Sequence, residues 1–157
     1  MSRFEPWSEE RTVEIVAEHM ALEGPLMPIL HAHQHTFGHV PEEAIPVIAR
    51  ELNQSRAEVH GVVTFYHDFR HQLPGKHILK LCRAEACQSM GCEHLVERAE
   101  ERLGVECGGT SADGRVTLEA VYCLGLCATA PSAMLDGRIV GRLDDKRLDQ
   151  LLKEAQA

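Results

Sequence analysis

The 157-residue chain is 44% hydrophobic and 25% charged, an ordinary globular composition with room for one medium or two small domains, which sets aside intrinsic disorder. A formal net charge of −8 argues against a nucleic-acid partner, whose backbone is held by clustered Lys and Arg, and no apolar run approaches the ~18 residues of a membrane-spanning helix. The opening "MSRFEPWSEERTVEIV" has no charged segment followed by an apolar core, so a soluble, cytoplasmic protein with reduced thiols is expected.

The first half reads as helices. In "SEERTVEIVAEHMAL" the stripe Val13, Val16, Ala17 and Met20 follows helical spacing, with Ser8 as N-cap. "GPLMPILHAHQHTFG" predicts a second helix, with Pro25 where a first-turn proline is tolerated and Gly38 as C-terminal cap. "PEEAIPVIAREL" is helical by pattern, but Pro46 removes a backbone donor, so this helix is either kinked or starts late. "SRAEVHGVVTFYHDF" opens with a Ser55–Glu58 capping box and carries Val59, Val62, Val63 and Tyr66 as its apolar face.

Pro74 and Gly75 in "HQLPGKH" separate this region from one of mixed strand and helix, predicting a helical domain over residues 1–75 and a second domain over 76–157. "HILKLC" alternates as a strand leading to Cys82; "SMGCEHLVERAEERLG" predicts a helix capped by Ser89 and stopped at Gly104. Cys92, Leu95, Val96, Ala99 and Leu103 fall on one stripe of that helix, so Cys92 is expected to pack as a small hydrophobe. "GRVTLEAVYC" is a strand running into Cys123, "AMLDGRIVGRL" a hairpin turned at Asp136-Gly137, and "LDDKRLDQLLKEA" a helix beginning at Asp144 with Leu143 and Leu148 as a hydrophobic staple. The predicted order is β-α-β-β-β-α.

Six cysteines in a reducing compartment point to metal ligation rather than disulfides. With Cys92 packed in a helix and Cys107 of "GVECGGT" read as a free loop thiol, two pairs remain, both expected in loops after strands. Cys82 and Cys87 are separated by four residues, Cys123 and Cys127 by three. Four thiolates suit zinc or an iron–sulfur cluster. Zinc turns favour C-x2-C, which neither pair has, so spacing favours the cluster over a structural zinc scaffold. The plant-type ferredoxin pattern C-x4-C-x2-C fails, since four residues separate Cys87 from Cys92, and thioredoxin-type dithiol chemistry fails for want of C-x2-C.

"CRAEAC", a gap of 35 residues and "CLGLC" resemble the two cysteine motifs of the thioredoxin-like 2Fe-2S ferredoxins, found as the small peripheral subunit of respiratory complex I and its relatives. "LMPILHAHQHTFGHVPEEAIPVIARELNQSRAEVHGVVTFYHDF" is similar to that family's helical N-terminal region, so the resemblance covers nearly the whole chain. "CRAEACQSMGC" and "CLGLCATAPSAMLDGRIVGRL" look most like the gamma-subunit branch found in soluble NAD-dependent formate dehydrogenases.

The resemblance implies an α+β protein: an N-terminal helical bundle, then a thioredoxin-like domain whose 2Fe-2S cluster is ligated by Cys82, Cys87, Cys123 and Cys127. It implies one-electron transfer to and from a partner flavoprotein subunit that holds FMN and binds NAD. A larger iron–sulfur subunit carrying molybdenum would oxidise formate; the equivalent subunit of an NAD-reducing hydrogenase or of complex I is the alternative. On this reading the chain alone is not a catalyst.

Such a site carries about −2 when oxidised and about −3 when reduced, so backbone N–H groups must offset it, and Gly125 lets backbone approach a sulfur. The small residues Ala84, Ala86, Ala128 and Ala130 would let a partner surface come close. His31, His33, His35 and His39 include pairs at i, i+4 spacing that two imidazoles could use to share a metal; with no acidic ligand on the same face, a packed or solvated helix face is the competing expectation.

Overall fold

The computed structural model describes residues 4–157; residues 1–3, the very start of the stretch read for an export signal, lie outside them. The chain divides into two compact units, one ending at Leu73 and one beginning at Pro74. No helix of the described residues is long and apolar enough to cross a membrane.

The described residues of the first unit form α1 (Glu9–His19), α2 (Leu26–Phe37), α3 (Ala44–Glu51) and α4 (Arg56–Phe65). Helix ends sit where the caps predict. Ser8 Oγ accepts from the Arg11 N–H at 3.2 Å, and Gly38 closes α2 in the left-handed region at φ 80°. Ser55 and Glu58 form the reciprocal capping box. α3 starts late: Pro46 is its third residue, in the first turn, where a missing N–H breaks no intrahelical bond.

Two predicted stripes shift. In α1 the buried residues are Thr12, Ile15 and Val16, while Ala17 and Met20 face solvent. The helix is turned so that the larger Ile15 enters the core, and Thr12 can follow because its hydroxyl donates to the Ser8 carbonyl (2.9 Å) and accepts from Trp7 Nε1 (3.1 Å). In α4, Val59 and Val63 are buried, but Tyr66 lies beyond the helix end on extended backbone and is exposed. The chain after α4 folds back: Gln34 donates to the Asp68 carbonyl (2.8 Å) and accepts from the Arg70 N–H (2.6 Å), and Phe69 is buried.

The second unit contains β1 (His77–Cys82), α5 (Glu85–Ser89), α6 (Cys92–Leu103), β2 (Val116–Val121), a 3-10 turn (Cys127–Thr129), β3 (Ala133–Leu135), β4 (Arg138–Val140) and α7 (Asp145–Gln156). Among the described residues the strands form one mixed sheet in the order β2-β1-β3-β4. β1 and β2 are parallel, joined by the α5–α6 crossover, while β3 runs antiparallel to β1 and β4 to β3. Leu79 and Leu81 of β1 and Leu118 of β2 share one hydrophobic core with Leu95, Val96 and Ala99 of α6 and with Leu148, Leu151 and Leu152 of α7. Arg98 of α6 also pairs with Asp149 of α7 through two hydrogen bonds (3.1 and 2.8 Å). The architecture is α+β, as expected.

Gly75 is held by this second unit: its N–H donates to Thr117 Oγ1 at 2.7 Å, and a Cβ would stand 2.9 Å from the Arg115 carbonyl carbon. Asp136 and Gly137 turn the β3–β4 hairpin at φ 50° and 89°, and Asp144 caps α7 by accepting from the Arg147 N–H at 2.8 Å. The α6 stripe is Cys92, Leu95, Val96, Ala99 and Leu103, as predicted, but the start of the helix differs. Gly91, at φ 85°, precedes α6, and Ser89 instead ends a separate short helix, α5. The left-handed glycine moves the start of the predicted helix from Ser89 to Cys92, and Glu85–Ser89, read from sequence as part of a loop, forms α5.

Of the histidines in α2 and just after it, His33 is fully buried, its ring nitrogens 3.2 Å from Thr12 Oγ1 and 3.3 Å from the His39 carbonyl. His31 packs its ring against Phe69 at 5.0 Å, and His39 Nδ1 lies 3.1 Å from the Phe37 carbonyl. Burial pushes the His33 pKa down to about 4, against the opposing pull of the His39 carbonyl. An unfolded histidine titrates near ~6.5, so above neutrality both states are uncharged and stability is undiminished. Between pH ~6.5 and ~4 only the unfolded chain binds the proton, and stability falls as pH falls, by roughly 3 kcal/mol in total. Urea unfolding followed by the fluorescence of Trp7, the chain's single tryptophan, should show this loss between pH 7 and pH 4.5, and His33→Gln should flatten it.

Candidate functional site: two thiol pairs at one sheet edge

The parallel register of β1 and β2 pairs Cys82 with Val121, so both strands end together and the chain leaves each at the same edge of the sheet. Cys82 is the last residue of β1, and Cys87 follows within α5. Cys123 lies two residues beyond β2, in the left-handed region at φ 106°, and Cys127 opens the 3-10 turn. The expectation that both pairs sit in loops is therefore corrected: only Cys123 lies outside regular structure. α5 forms because the chain must reverse immediately after β1 to enter the crossover.

The two pairs differ in exposure. Cys82 and Cys87 are each 2% exposed and form a buried group with Cys92, flanked by Ala84, Val121, Leu124 and Ala130. Cys123 and Cys127 are exposed, with their sulfurs 3.6 Å apart. The pairs are brought together by the sheet: Cys82 is paired with Val121, two residues before Cys123. Among the described residues, no three His, Cys, Asp or Glu side chains converge as ligands of a single metal ion.

Burial pushes the Cys82 thiol up, but hydrogen bonds from the Ala84 backbone, Cys87, the Cys123 backbone and the Ser132 hydroxyl outweigh it and bring its pKa below the ordinary thiol value. Cys87 is raised, chiefly by burial. Cys127 is raised by its neighbour Cys123. The Gly125 N–H points at Cys123 Sγ from 3.3 Å, from a residue at φ 78° that favours glycine. The arrangement fits a two-iron cluster, which needs one thiol pair per iron and backbone donors to offset its negative charge. No single ion site is required for it.

Cys92 lies against the first pair but takes no donor set of its own, and burial pushes its pKa up to about 11. Cys107 packs against the sheet core, with burial again raising its pKa. Sequence reasoning missed Ser132, whose Oγ lies 3.6 Å from Cys87 Sγ. The signal for it was a hydroxyl set between Pro131 and the apolar run Ala133–Leu135, where a polar side chain needs a buried partner.

A mixed sheet presenting two thiol pairs at one edge is the build of a thiol-ligated cofactor protein. The profile of the Thioredoxin-like [2Fe-2S] ferredoxin family matches residues 12–156, and the chain belongs to that family. Its cofactor is a 2Fe-2S cluster, which removes the zinc-scaffold alternative. The chain is 40% identical over 120 residues to the NADH-quinone oxidoreductase E subunit of Pseudomonas aeruginosa, covering 76% of this chain and 70% of that one. It is 32% identical over 132 residues to the HndA subunit of the NADP-reducing hydrogenase of Solidesulfovibrio fructosivorans, covering 84% of this chain and 77% of the relative. The crystal structure of an air-oxidised NAD+-reducing [NiFe]-hydrogenase shares the fold, with a TM-score of 0.72 at 24% identity. That match takes in 83% of this chain but only 22% of the length of the solved one.

If Cys92 is a packing thiol, Cys92→Ala should keep full iron content and an unchanged visible spectrum. It should lower the unfolding free energy by about 1 kcal/mol, the cost of trimming a small buried side chain. Iron analysis and thermal melting on the same sample check both.

Proposed function

We propose that the chain is a one-electron carrier whose 2Fe-2S cluster is held by Cys82 and Cys87 on one iron and by Cys123 and Cys127 on the other, within a ferredoxin domain of residues 76–157 behind a helical domain of residues 1–75. The observation that carries this reading is the pairing itself: two thiol pairs at one sheet edge, one buried and one exposed. The bound cluster supplies reversible uptake of a single electron.

The chain's own groups hold and shield that centre. Ala84, Cys123 and Ser132 direct hydrogen bonds to the buried sulfurs, and Gly125 directs its N–H to an exposed one. Cys127 and the exposed Ala128 leave one side of the site open, where small side chains let a partner's redox group come within a short distance. The relatives are components of NAD(P)-linked oxidoreductases, which supports a partner subunit that binds FMN and NAD and exchanges electrons with this site.

For the parent complex, the motifs "CRAEACQSMGC" and "CLGLCATAPSAMLDGRIVGRL" favour a cytoplasmic NAD-dependent formate dehydrogenase, with formate oxidised on a larger molybdenum-containing iron–sulfur subunit. The likeness to HndA and to the NADH-quinone oxidoreductase component supports the second reading, the equivalent subunit of an NAD(P)-linked hydrogenase or of complex I. Subunits that copurify with the native chain separate the two.

Low-temperature EPR on anaerobically purified protein, with iron and sulfide counted on the same sample, tests the carrier. The oxidised state should be silent and the dithionite-reduced state should give one S = 1/2 signal, with about two irons per chain. Cys82→Ser, Cys87→Ser, Cys123→Ser and Cys127→Ser should each lower cluster content or shift the signal, whereas Cys107→Ser should do neither. A colourless, metal-replete protein with no signal would overturn the reading.

A further inference from the structure

Ser132 is 2% exposed, and the atoms around it belong to the thiol site. Its carbonyl accepts from the Cys82 N–H at 3.0 Å, and its hydroxyl Oγ lies 3.6 Å from Cys87 Sγ. The residue is pinned at this place. Pro131 precedes it, also buried, and Ala133 follows as the first residue of β3, paired with Leu81 of β1. The backbone that fixes the hydroxyl is therefore the same ladder that fixes Cys82.

A buried hydroxyl has to find a partner, and here the partner is the Cys87 sulfur. Between a free thiol and a serine either group can donate. A thiolate bound to iron has no proton to give, so the serine must then be the donor and the sulfur the acceptor. A donor aimed at a ligating sulfur stabilises whichever state of the centre carries more negative charge. That state is the reduced one.

We propose that Ser132 is a positioning residue for electron transfer: its hydroxyl donates to the buried Cys87 sulfur, raises the reduction potential of the centre and fixes the orientation of Cys87. The inference rests on the assignment of Cys82 and Cys87 as ligands, so its test includes that assignment.

The experiment is a mediated redox titration of the iron-loaded full chain, followed by EPR, on the wild type, Ser132→Ala, Ser132→Thr and Cys87→Ser. Ser132→Ala should retain iron and sulfide but, at a fixed ambient potential near the wild-type midpoint, show a reduced-to-oxidised ratio lower on the order of tenfold, equal to about 59 mV for one electron. Ser132→Thr, which keeps the hydroxyl, should restore most of the difference; a loss of packing alone would not be rescued in this way. Resonance Raman of the wild type and of Ser132→Ala in D2O gives a second readout. Iron–sulfur stretching bands whose deuteration shift is larger in the wild type than in Ser132→Ala support a hydroxyl donor, and equal shifts in the two oppose it. A fully loaded Ser132→Ala with the wild-type midpoint would overturn the role of the serine while leaving the ligands in place. Cys87→Ser with unchanged iron content, signal and midpoint would overturn the ligand assignment and the serine proposal together.

Discussion

The cysteine site depends on the in-register parallel pairing of β1 with β2. Because side chains alternate along a strand, a slip of one residue would turn Leu79 and Leu81 away from α6 and α7 and put Ile78 and Lys80 in their place. The cost of burying Lys80 without its cross-strand neighbour Glu119 excludes that alternative. With the register fixed, Cys82 and Val121 end their strands side by side, and the next few residues of each connection have nowhere to place their thiols except the same edge. Fold and site are thus set by one constraint. The apolar face of the sheet decides the register, and the register decides which sulfurs meet.

Much of this was legible in the sequence, and the reasons are local. Capping residues act within one turn, so Ser8, Ser55, Gly38, Gly104 and Asp144 mark helix ends without knowledge of anything distant. The α6 stripe was legible because its other face is charged, leaving one way to orient the helix. α1 was not, because Val13, Ala17 and Met20 compete with Ile15 for the inward position, and the winner is decided by Thr12 and its partners Trp7 and His33, residues from outside the helix. The start of α6 was misplaced for a different reason. Gly91 in the left-handed region looks, in sequence, like a tolerated helical glycine.

The three cysteines spaced at intervals of five show how far spacing alone goes. Cys82, Cys87 and Cys92 are all buried to the same degree and touch one another, so burial does not distinguish them. Hydrogen bonding does. Cys82 is met by the Ala84 and Cys123 backbone and Cys87 by Ser132, whereas Cys92 faces the Glu93 carboxylate, which raises its pKa along with burial. A thiolate in a buried site needs donors, and a carboxylate is not one. The stripe argument from sequence reached the same division by another route, since the first residue of an amphipathic helix has to satisfy the packing of that helix first.

The contrast between the two pairs follows from who supplies those donors. Water reaches Cys123 and Cys127 and can orient toward any charge that develops there, so a single protein donor, the Gly125 N–H, suffices to place the loop. Water does not reach Cys82 and Cys87, and every donor they have must be built into the chain: two backbone groups in the turns that leave β1 and β2, and the backbone and hydroxyl of Ser132 at the start of β3. Three strands therefore converge on the buried pair and only one loop on the exposed pair. On the ligand assignment proposed above, the side with protein donors sets the properties of the centre, and the side with solvent donors is the one a partner would approach.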